Sequence, residues 1–407
     1  MKTNNLFKYL PYLLCIVLVV FAITKVKENG DFIGYVNAGN LVLSKGDIYS
    51  DMFNTWPPAF SIFSVPLAIM DSWSFIGVRV LWMVVLFASF FYCIKVMLSV
   101  LRNESLTNKM VWQHLQTPYY FLAFFLCCRA FMDNLIYLQI NVVMLAACCY
   151  VLNKERTKSI ASGLLMGLSI GGKVFNIFLL PVFIIFRQWR MVFSVIAGII
   201  ITLILCVIVF GPEQSLLYFE HWDQHIASVP QTIIHRNQSM ISAMVRLLSS
   251  ENLAVNEFPS LASLDYHAIQ RLYYIVIVFL VIGFVSVFYK AIYEKHPLFV
   301  LHTFILVITL IPLLTPVAWK ANYIYALPGF FMLSHYLSLK RVGRGVLICF
   351  ISSGVALCLS NEAIIGRPAM YFLENCNILA IGELVLAVAI VWQMATEKKN
   401  ASYTLKS

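Results

Sequence analysis

The amino-acid sequence predicts an all-α, polytopic transmembrane helix bundle of about twelve spans with both termini cytoplasmic. The first observation behind this is composition: of 407 residues, 61% are hydrophobic and only 12% charged, with a mean hydropathy of +0.83. So much apolar surface cannot be buried inside a water-soluble globule, and lipid must be the solvent. The second is run length. Segments 8–24, 191–210, 272–290 and 297–314 are long enough, or nearly so, to cross as helices, and the chain does not alternate polar and apolar residues as a membrane β-barrel would. The third is charge placement. The formal net charge is +10, yet the basic residues gather at alternate ends of the apolar runs: Lys2/Lys8, Lys95/Arg102/Lys109, Lys154/Arg156/Lys158, Arg187/Arg190, Lys290/Lys295, Lys340/Arg341/Arg344 and Lys398/Lys399. The positive-inside rule makes these the cytoplasmic ends, and no basic patch or aromatic-rich arm points to nucleic acid.

Threaded through those clusters, the spans fall near 8–24, 73–94, 117–130, 135–152, 159–171, 174–186, 191–210, 272–290, 297–314, 321–338, 345–360 and 377–394. The first follows a short basic start, as a signal peptide would. No small-residue cleavage site follows it, so it is read as an uncleaved span. The pairs within 117–152 and 159–186 are short for upright crossings and suit re-entrant or bundle-buried helices. The ten cysteines lie almost entirely in apolar segments, where Cys packs as a small hydrophobe. Their spacing gives neither a disulfide framework nor a zinc site. No internal repeat is evident, which weakens the case for a transporter built from two related halves.

Two segments interrupt the rhythm, 25–72 and 211–271, and both fall on the extracytoplasmic side in this threading. Loops of that length are usually functional. The first is expected to form a membrane-surface helix over 32–44, a glycine-directed turn, and an apolar piece entered through Pro57-Pro58. The second concentrates polar side chains, including Glu213, Glu220, His221, Asp223, His225, His235, Arg236, Asn237, Gln238 and Arg246.

Asp31 stands where the chain leaves the first span, a place from which a carboxylate can take a proton from an acceptor hydroxyl. It would equally well cap the helix that follows. Lys173, in Gly171-Gly172-Lys173, lies at a tight outer connection, either as a functional cation at membrane depth or as a side chain snorkelling to the headgroups. Gln139 and Asn141, placed just after Asp133 at the start of the fourth span, can bind sugar hydroxyls or hydrogen-bond neighbouring helices. In Thr315-Pro316-Val317-Ala318-Trp319-Lys320-Ala321-Asn322, the indole and the ammonium suit a sugar face and a phosphate, or simply the interfacial belt. Arg236 offers a planar donor fork to a phosphate. His221, Asp223 and His225 have a spacing that would reach a metal from a strand, without a supporting ligand set. Asp31, Asp133, Gln139, Lys173, Arg236 and Lys320 all map to the outer face, which points to one extracytoplasmic site combining a carboxylate base with phosphate-binding cations.

In these residues the chain resembles the polyprenyl-phosphate-sugar-dependent glycosyltransferases of the GT-C class, family 87, which includes bacterial mannosyltransferases. Asp31-Phe32 with Tyr35, Ala38, Gly46, Tyr49 and Pro57-Pro58 is similar to the family's opening block, and Gln139-Ile140-Asn141 to its Gln-x-Asn signature. Gly163, Gly167 and Lys173 with Pro181 and Arg187-Gln188-Trp189-Arg190 resemble its central block. Asn237-Gln238-Ser239 with Arg246 resembles its loop signature, and Thr315-Pro316 with Trp319 its late block. In that late block the family often carries histidines where this chain has Lys320-Ala321-Asn322.

The resemblance implies a single transmembrane glycosyltransferase domain over 1–407, moving a hexose, mannose first, from a polyprenyl-phosphate donor to a lipid or glycan acceptor with inversion. It puts Asp31 at the catalytic carboxylate, with Lys173, Arg236 and Lys320 as candidates for the donor phosphate. Tyr35, Gln139, Asn141, Asn237, Gln238, Trp319 and Asn322 are candidates for substrate contact. Neither a cofactor nor a metal is required by this chemistry. The implied location is a plasma or inner membrane with the site facing outward. The rival readings are a transporter or flippase, which would carry ionisable residues near the midplane, and a non-catalytic assembly subunit.

Overall fold

The computed structural model describes residues 5–28, 30–50, 54–152, 159–228, 236–249, 261–293, 297–359 and 361–404. These residues form helices and their connections, with no strand among them. Six of the helices contain stretches long and apolar enough to cross a membrane: Phe7–Lys25, Phe75–Arg102, Pro118–Tyr137, Trp189–Phe210, Tyr266–Tyr289 and Ile378–Glu397. Asn141–Leu152, Ile160–Gly172, Val174–Ile185, Leu298–Leu314 and Arg344–Cys358 are shorter apolar helical pieces. Large apolar side chains such as Ile208 on one of the long helices and Phe279 on another are open to the surroundings, as lipid-facing positions must be. The protein is an all-α, multi-pass membrane protein that divides into two units, Met1–Ala227 and Ser228–Ser407.

The first unit begins with α1 (Asn5–Lys25) and α2 (Asp31–Leu43), the latter falling close to the helix expected over 32–44. The turn after α2 differs from expectation. Lys45, not Gly46, takes the left-handed conformation (φ 55°), while the Gly46 N–H closes the turn on the Leu41 carbonyl at 2.9 Å. Pro57-Pro58 opens α3 (Pro58–Trp73), because proline at the first helical position sacrifices no helical hydrogen bond. Ser74 caps α4 (Phe75–Arg102) by accepting from the Gly77 N–H at 3.0 Å, and Thr107 caps α5 (Asn108–Leu115) in the same way.

The next boundary corrects the sequence reading. A break between 130 and 135 was expected, but α6 (Pro118–Tyr137) runs unbroken through it. Asp133 therefore sits within the helix, paired with Arg129 one turn earlier. The break comes at Leu138, which is left-handed (φ 50°, ψ 43°), and α7 (Asn141–Leu152) starts three residues on.

α8 (Ile160–Gly172) packs along α10 (Trp189–Phe210) through glycines spaced one turn apart. A Cβ at Gly163 would lie 2.3 Å from the Ser194 Cβ, one at Gly167 2.2 Å from the Val195 carbonyl oxygen, and one at Gly171 2.4 Å from Thr202 Oγ1. The two backbones approach as closely as small residues permit. Since α8 ends at Lys173, this seam sets where that lysine stands. Gly167→Ala is expected to lower stability by about 1–3 kcal/mol, read as a lower melting temperature in detergent micelles.

Between α8 and α10, Val174–Leu179 is a 3-10 turn leading into α9 (Leu180–Ile185). α11 (Pro212–Ser228) closes the unit against the α2–α3 connection, Trp222 donating to the Thr55 carbonyl at 3.2 Å. His221 and Asp223 lie on a helix rather than the strand that spacing would need, and residues two apart on a helix do not share a face; the side chain of His225 lies outside the described residues. Among the described residues no group of three His, Cys, Asp or Glu gathers.

The second unit comprises α12 (Met240–Leu248), α13 (Tyr266–Tyr293), α14 (Pro297–Leu314), α15 (Leu327–Ser338), α16 (Arg344–Leu359), the short α17 (Glu362–Ile365) and α18 (Arg367–Asn375), and α19 (Ile378–Thr404). His235 lies outside the described residues. A 3-10 turn, Lys320–Ala326, leads into α15. It repeats the device before α9: Lys173 and Lys320 each precede an Ile four residues on and a Leu-Pro pair seven and eight residues on. Proline lacks an N–H and its ring crowds the carbonyl four residues earlier, here Ile177 and Ile324. Each proline thus removes one helical hydrogen bond, and in both places the residues just upstream form a 3-10 turn rather than α-helix.

Candidate active site

Asp31 is the first residue of α2, and Gly30, not Asp31, occupies the capping position. The aspartate side chain is thus not used as a cap, although its charge favours the helix N-terminus. A Cβ on Gly30 would come within 2.5 Å of the Tyr137 Cα and 2.6 Å of its carbonyl oxygen. Only glycine lets the start of α2 touch the end of α6, and that contact brings Asp31 to the 138–140 turn. There the Gln139 Nε2 donates to Asp31 Oδ2 at 2.6 Å. No other described residue hydrogen-bonds the carboxylate, so one oxygen is left to accept from a substrate.

Gln139 is itself oriented. Its Oε1 accepts from Asn141 Nδ2, and the Asn141 Oδ1 accepts from Lys173 Nζ at 2.6 Å. The result is one chain of donors running Lys173, Asn141, Gln139, Asp31, with both amides aligned so that each oxygen faces the ammonium and each NH2 faces the carboxylate. Such aligned chains polarise one another. Lys173 is half-buried, its ammonium facing Asn141 and lying 4.5 Å from the Phe175 ring centroid.

Tyr35, fully buried one turn after Asp31, accepts the Ile140 N–H at 3.3 Å and is boxed in by Trp56 and Phe60, at ring distances of 4.8 and 4.9 Å. Its hydroxyl therefore ties α2 to the same turn. Asn176, inside an apolar run, donates to the Met144 carbonyl at 3.2 Å and to Ser169 Oγ at 3.0 Å, fastening the 3-10 turn after Lys173 to α7 and α8. Sequence reasoning missed it, although an amide in so apolar a segment is the signal that finds such a residue.

The electrostatics follow from burial. Desolvation pushes the Asp31 carboxyl above the ordinary aspartate range, while the Lys173 charge and the Gln139 hydrogen bond pull it back. Desolvation likewise brings the Lys173 ammonium down to about 8, with the Asp31 charge opposing it. Burial, then the Asp31 charge, raises the Tyr35 phenol, which stays neutral. A carboxylate and an ammonium linked through two fixed amides can accept a proton at one end and steady a developing anion at the other.

The second unit gathers the remaining candidates differently. The Asn237 Oδ1 accepts from the N–H groups of Ala318 at 2.9 Å and Ser239 at 3.0 Å, while its Nδ2 donates to the Pro316 carbonyl at 3.0 Å. Gln238 donates through its backbone N–H to the Ala318 carbonyl at 2.8 Å and through Nε2 to the Glu374 carbonyl at 2.7 Å. Arg246 donates to the Asn237 carbonyl at 3.0 Å and to Asn377 Oδ1; burial brings its guanidinium down to about 10.

These side chains are engaged in holding the 315–319 segment and the turn after α18. Lys320 pairs with the buried carboxylate of Glu374, Asn322 donates to the Val317 carbonyl at 3.4 Å, Trp319 is partly exposed and Arg236 is exposed. Glu374 and Asn377 were not read from the sequence. Their positions beside the late block become apparent only once α18 is folded.

A comparison with curated proteins finds no match to the chain. The sequence profile described as glycosyltransferase family 87 matches residues 54–316, well over half of the chain. The match takes in Gln139, Asn141, Lys173 and the Asn237-Gln238-Ser239 signature. On that match, this membrane protein belongs to glycosyltransferase family 87.

Proposed function

We propose that this glycosyltransferase moves a hexose, mannose first among the candidates, from a polyprenyl-phosphate donor to a lipid or glycan hydroxyl at the extracytoplasmic face, with inversion. The observation that carries the reading is the Asp31 carboxylate, one oxygen held by Gln139 and the other open, at the far end of a hydrogen-bonded chain from Lys173. The acceptor oxygen attacks the anomeric carbon as the bond from that carbon to the phosphate oxygen breaks. The hydroxyl proton passes to Asp31, and the bonding pair leaves with the lipid phosphate. The transition state is oxocarbenium-like, as at other glycosyl centres. A phosphate departs as a stable anion, so a cation can take the place of a general acid, and Lys173 is the cation on which this reading rests. Arg236 is a further candidate for the donor phosphate; the charge of Lys320 is already met by Glu374. Placement of the basic clusters at alternate ends of the apolar runs supports the outward-facing site.

Incubating the purified protein with a panel of polyprenyl-phosphate sugars and candidate acceptors, followed by mass analysis, tests the proposal. Transfer from at least one donor, with mannose preferred, is the expected outcome. Folded protein that transfers none of them would favour the non-catalytic reading.

A further inference from the structure

Resting on the reading of Asp31 as the base, we infer that Trp82 is a positioning residue that holds the Asp31–Gln139 pair in register. It lies on α4, outside every motif quoted above, and touches both partners' neighbours. Its indole N–H donates to the Leu138 carbonyl at 2.8 Å, the residue before Gln139. Its ring lies 5.9 Å from that of Phe32, the residue after Asp31, and 6.5 Å from that of Tyr35.

The chemistry of each contact accounts for a tryptophan here. α6 ends at a left-handed Leu138, so the carbonyls of its last turn lack helical partners. An indole supplies both a donor for one of them and an apolar face for α2. Phe32 is held from a second direction by Arg79. That guanidinium is buried, donates to Asp71 Oδ1 at 2.9 Å, and lies 5.3 Å from the Phe32 ring and 3.4 Å from that of Phe75. Two residues one turn apart on α4 therefore fix Phe32, and one of them also fixes the turn that presents Gln139.

If that register loosens, the Gln139 hydrogen bond to Asp31 weakens, and the carboxyl loses an interaction that lowers its pKa. The other titratable groups around it do not substitute. Lys173 reaches it through Asn141 and Gln139, Tyr35 bonds the Ile140 N–H, Asp133 on α6 is paired with Arg129, and Asp71 on α3 with Arg79. Tyr137 ends α6 with its backbone against Gly30.

Trp82→Phe keeps the apolar face and removes the donor. The expected result is a fall in kcat on the order of 10- to 100-fold with KM for the donor little changed. The acid limb of the pH–rate profile should also move to higher pH. Trp82→His, which retains a ring N–H, is expected to return the limb part of the way. A drop in kcat with the limb unmoved, or wild-type kinetics, would overturn the inference. Should Trp82→Phe not purify as folded protein, Trp82→Leu, which likewise has no donor, is judged by the same outcomes. Asp31→Asn measured alongside separates the two claims: its retained activity sinks the base assignment, whereas its inactivity with an unshifted Trp82→Phe profile sinks only the role of Trp82.

Discussion

Replacing Asp31 by asparagine is expected to lower the rate of sugar transfer by about 10²- to 10⁴-fold, the range removed with a positioned general base. The substitution is close to isosteric, and its Oδ1 can still accept from the Gln139 Nε2 that now bonds the carboxylate at 2.6 Å. The helix loses a favourable charge at its N-terminus, worth about 0.3–1 kcal/mol, and is relieved of a half-buried carboxylate, so the melting temperature should hardly move. The inactivity would then belong to chemistry rather than folding. Asp31→Glu should recover little, because one added methylene carries the carboxylate past Gln139. Initial rates with a polyprenyl-phosphate sugar, paired with melting curves, decide the matter. An Asp31→Asn enzyme with wild-type rates sinks the assignment of the base.

The sequence made the members of the site legible, but not their assembly. Asp31, Gln139, Asn141 and Lys173 each stand out as polar residues beside long apolar runs, which is why they can be read one by one. Their union depends on contacts without a sequence period. Gly30 must lie against the Tyr137 backbone, and α8 must ride on α10 through Gly167 and Gly198. The break after α6 was misjudged because Asp133 has the look of a connection, whereas Arg129 one turn earlier lets it remain inside a helix.

The amides of the second unit show the opposite difficulty. Asn237 and Gln238 were recognisable as a signature, yet an amide suited to a sugar hydroxyl is equally suited to a backbone carbonyl, and here the backbone engages them. The recurring Lys, Ile and Leu-Pro spacing at 173–181 and 320–328 is shorter than the unit of any repeat architecture and leaves no period in the chain. Its meaning is local. In both places a 3-10 turn precedes the proline, and the lysine before it faces Asn141 in one case and Glu374 in the other.

Lys173 gives the second large effect, and its sign follows from the direction of its shift. Burial brings the ammonium to about 8, below an ordinary lysine, so it gives up its proton as the pH rises through that value. Transfer that needs the charged lysine must fall over the same interval. As the proposed base, Asp31 must be ionised, so transfer is expected to rise as the pH climbs past its raised pKa, and the expected profile is bell-shaped. Lys173→Gln, which can still donate to Asn141 but carries no charge, is expected to lose about 10²- to 10³-fold at every pH, the loss that follows removal of a preorganised electrostatic group. Lys173→Arg separates charge from geometry. A guanidinium stays charged throughout the range, so the alkaline limb near 8 should vanish even though the planar fork fits the Asn141 contact less well and lowers the maximum. Persistence of that limb in Lys173→Arg would assign it to another group and leave Lys173 with only its hydrogen bond to Asn141.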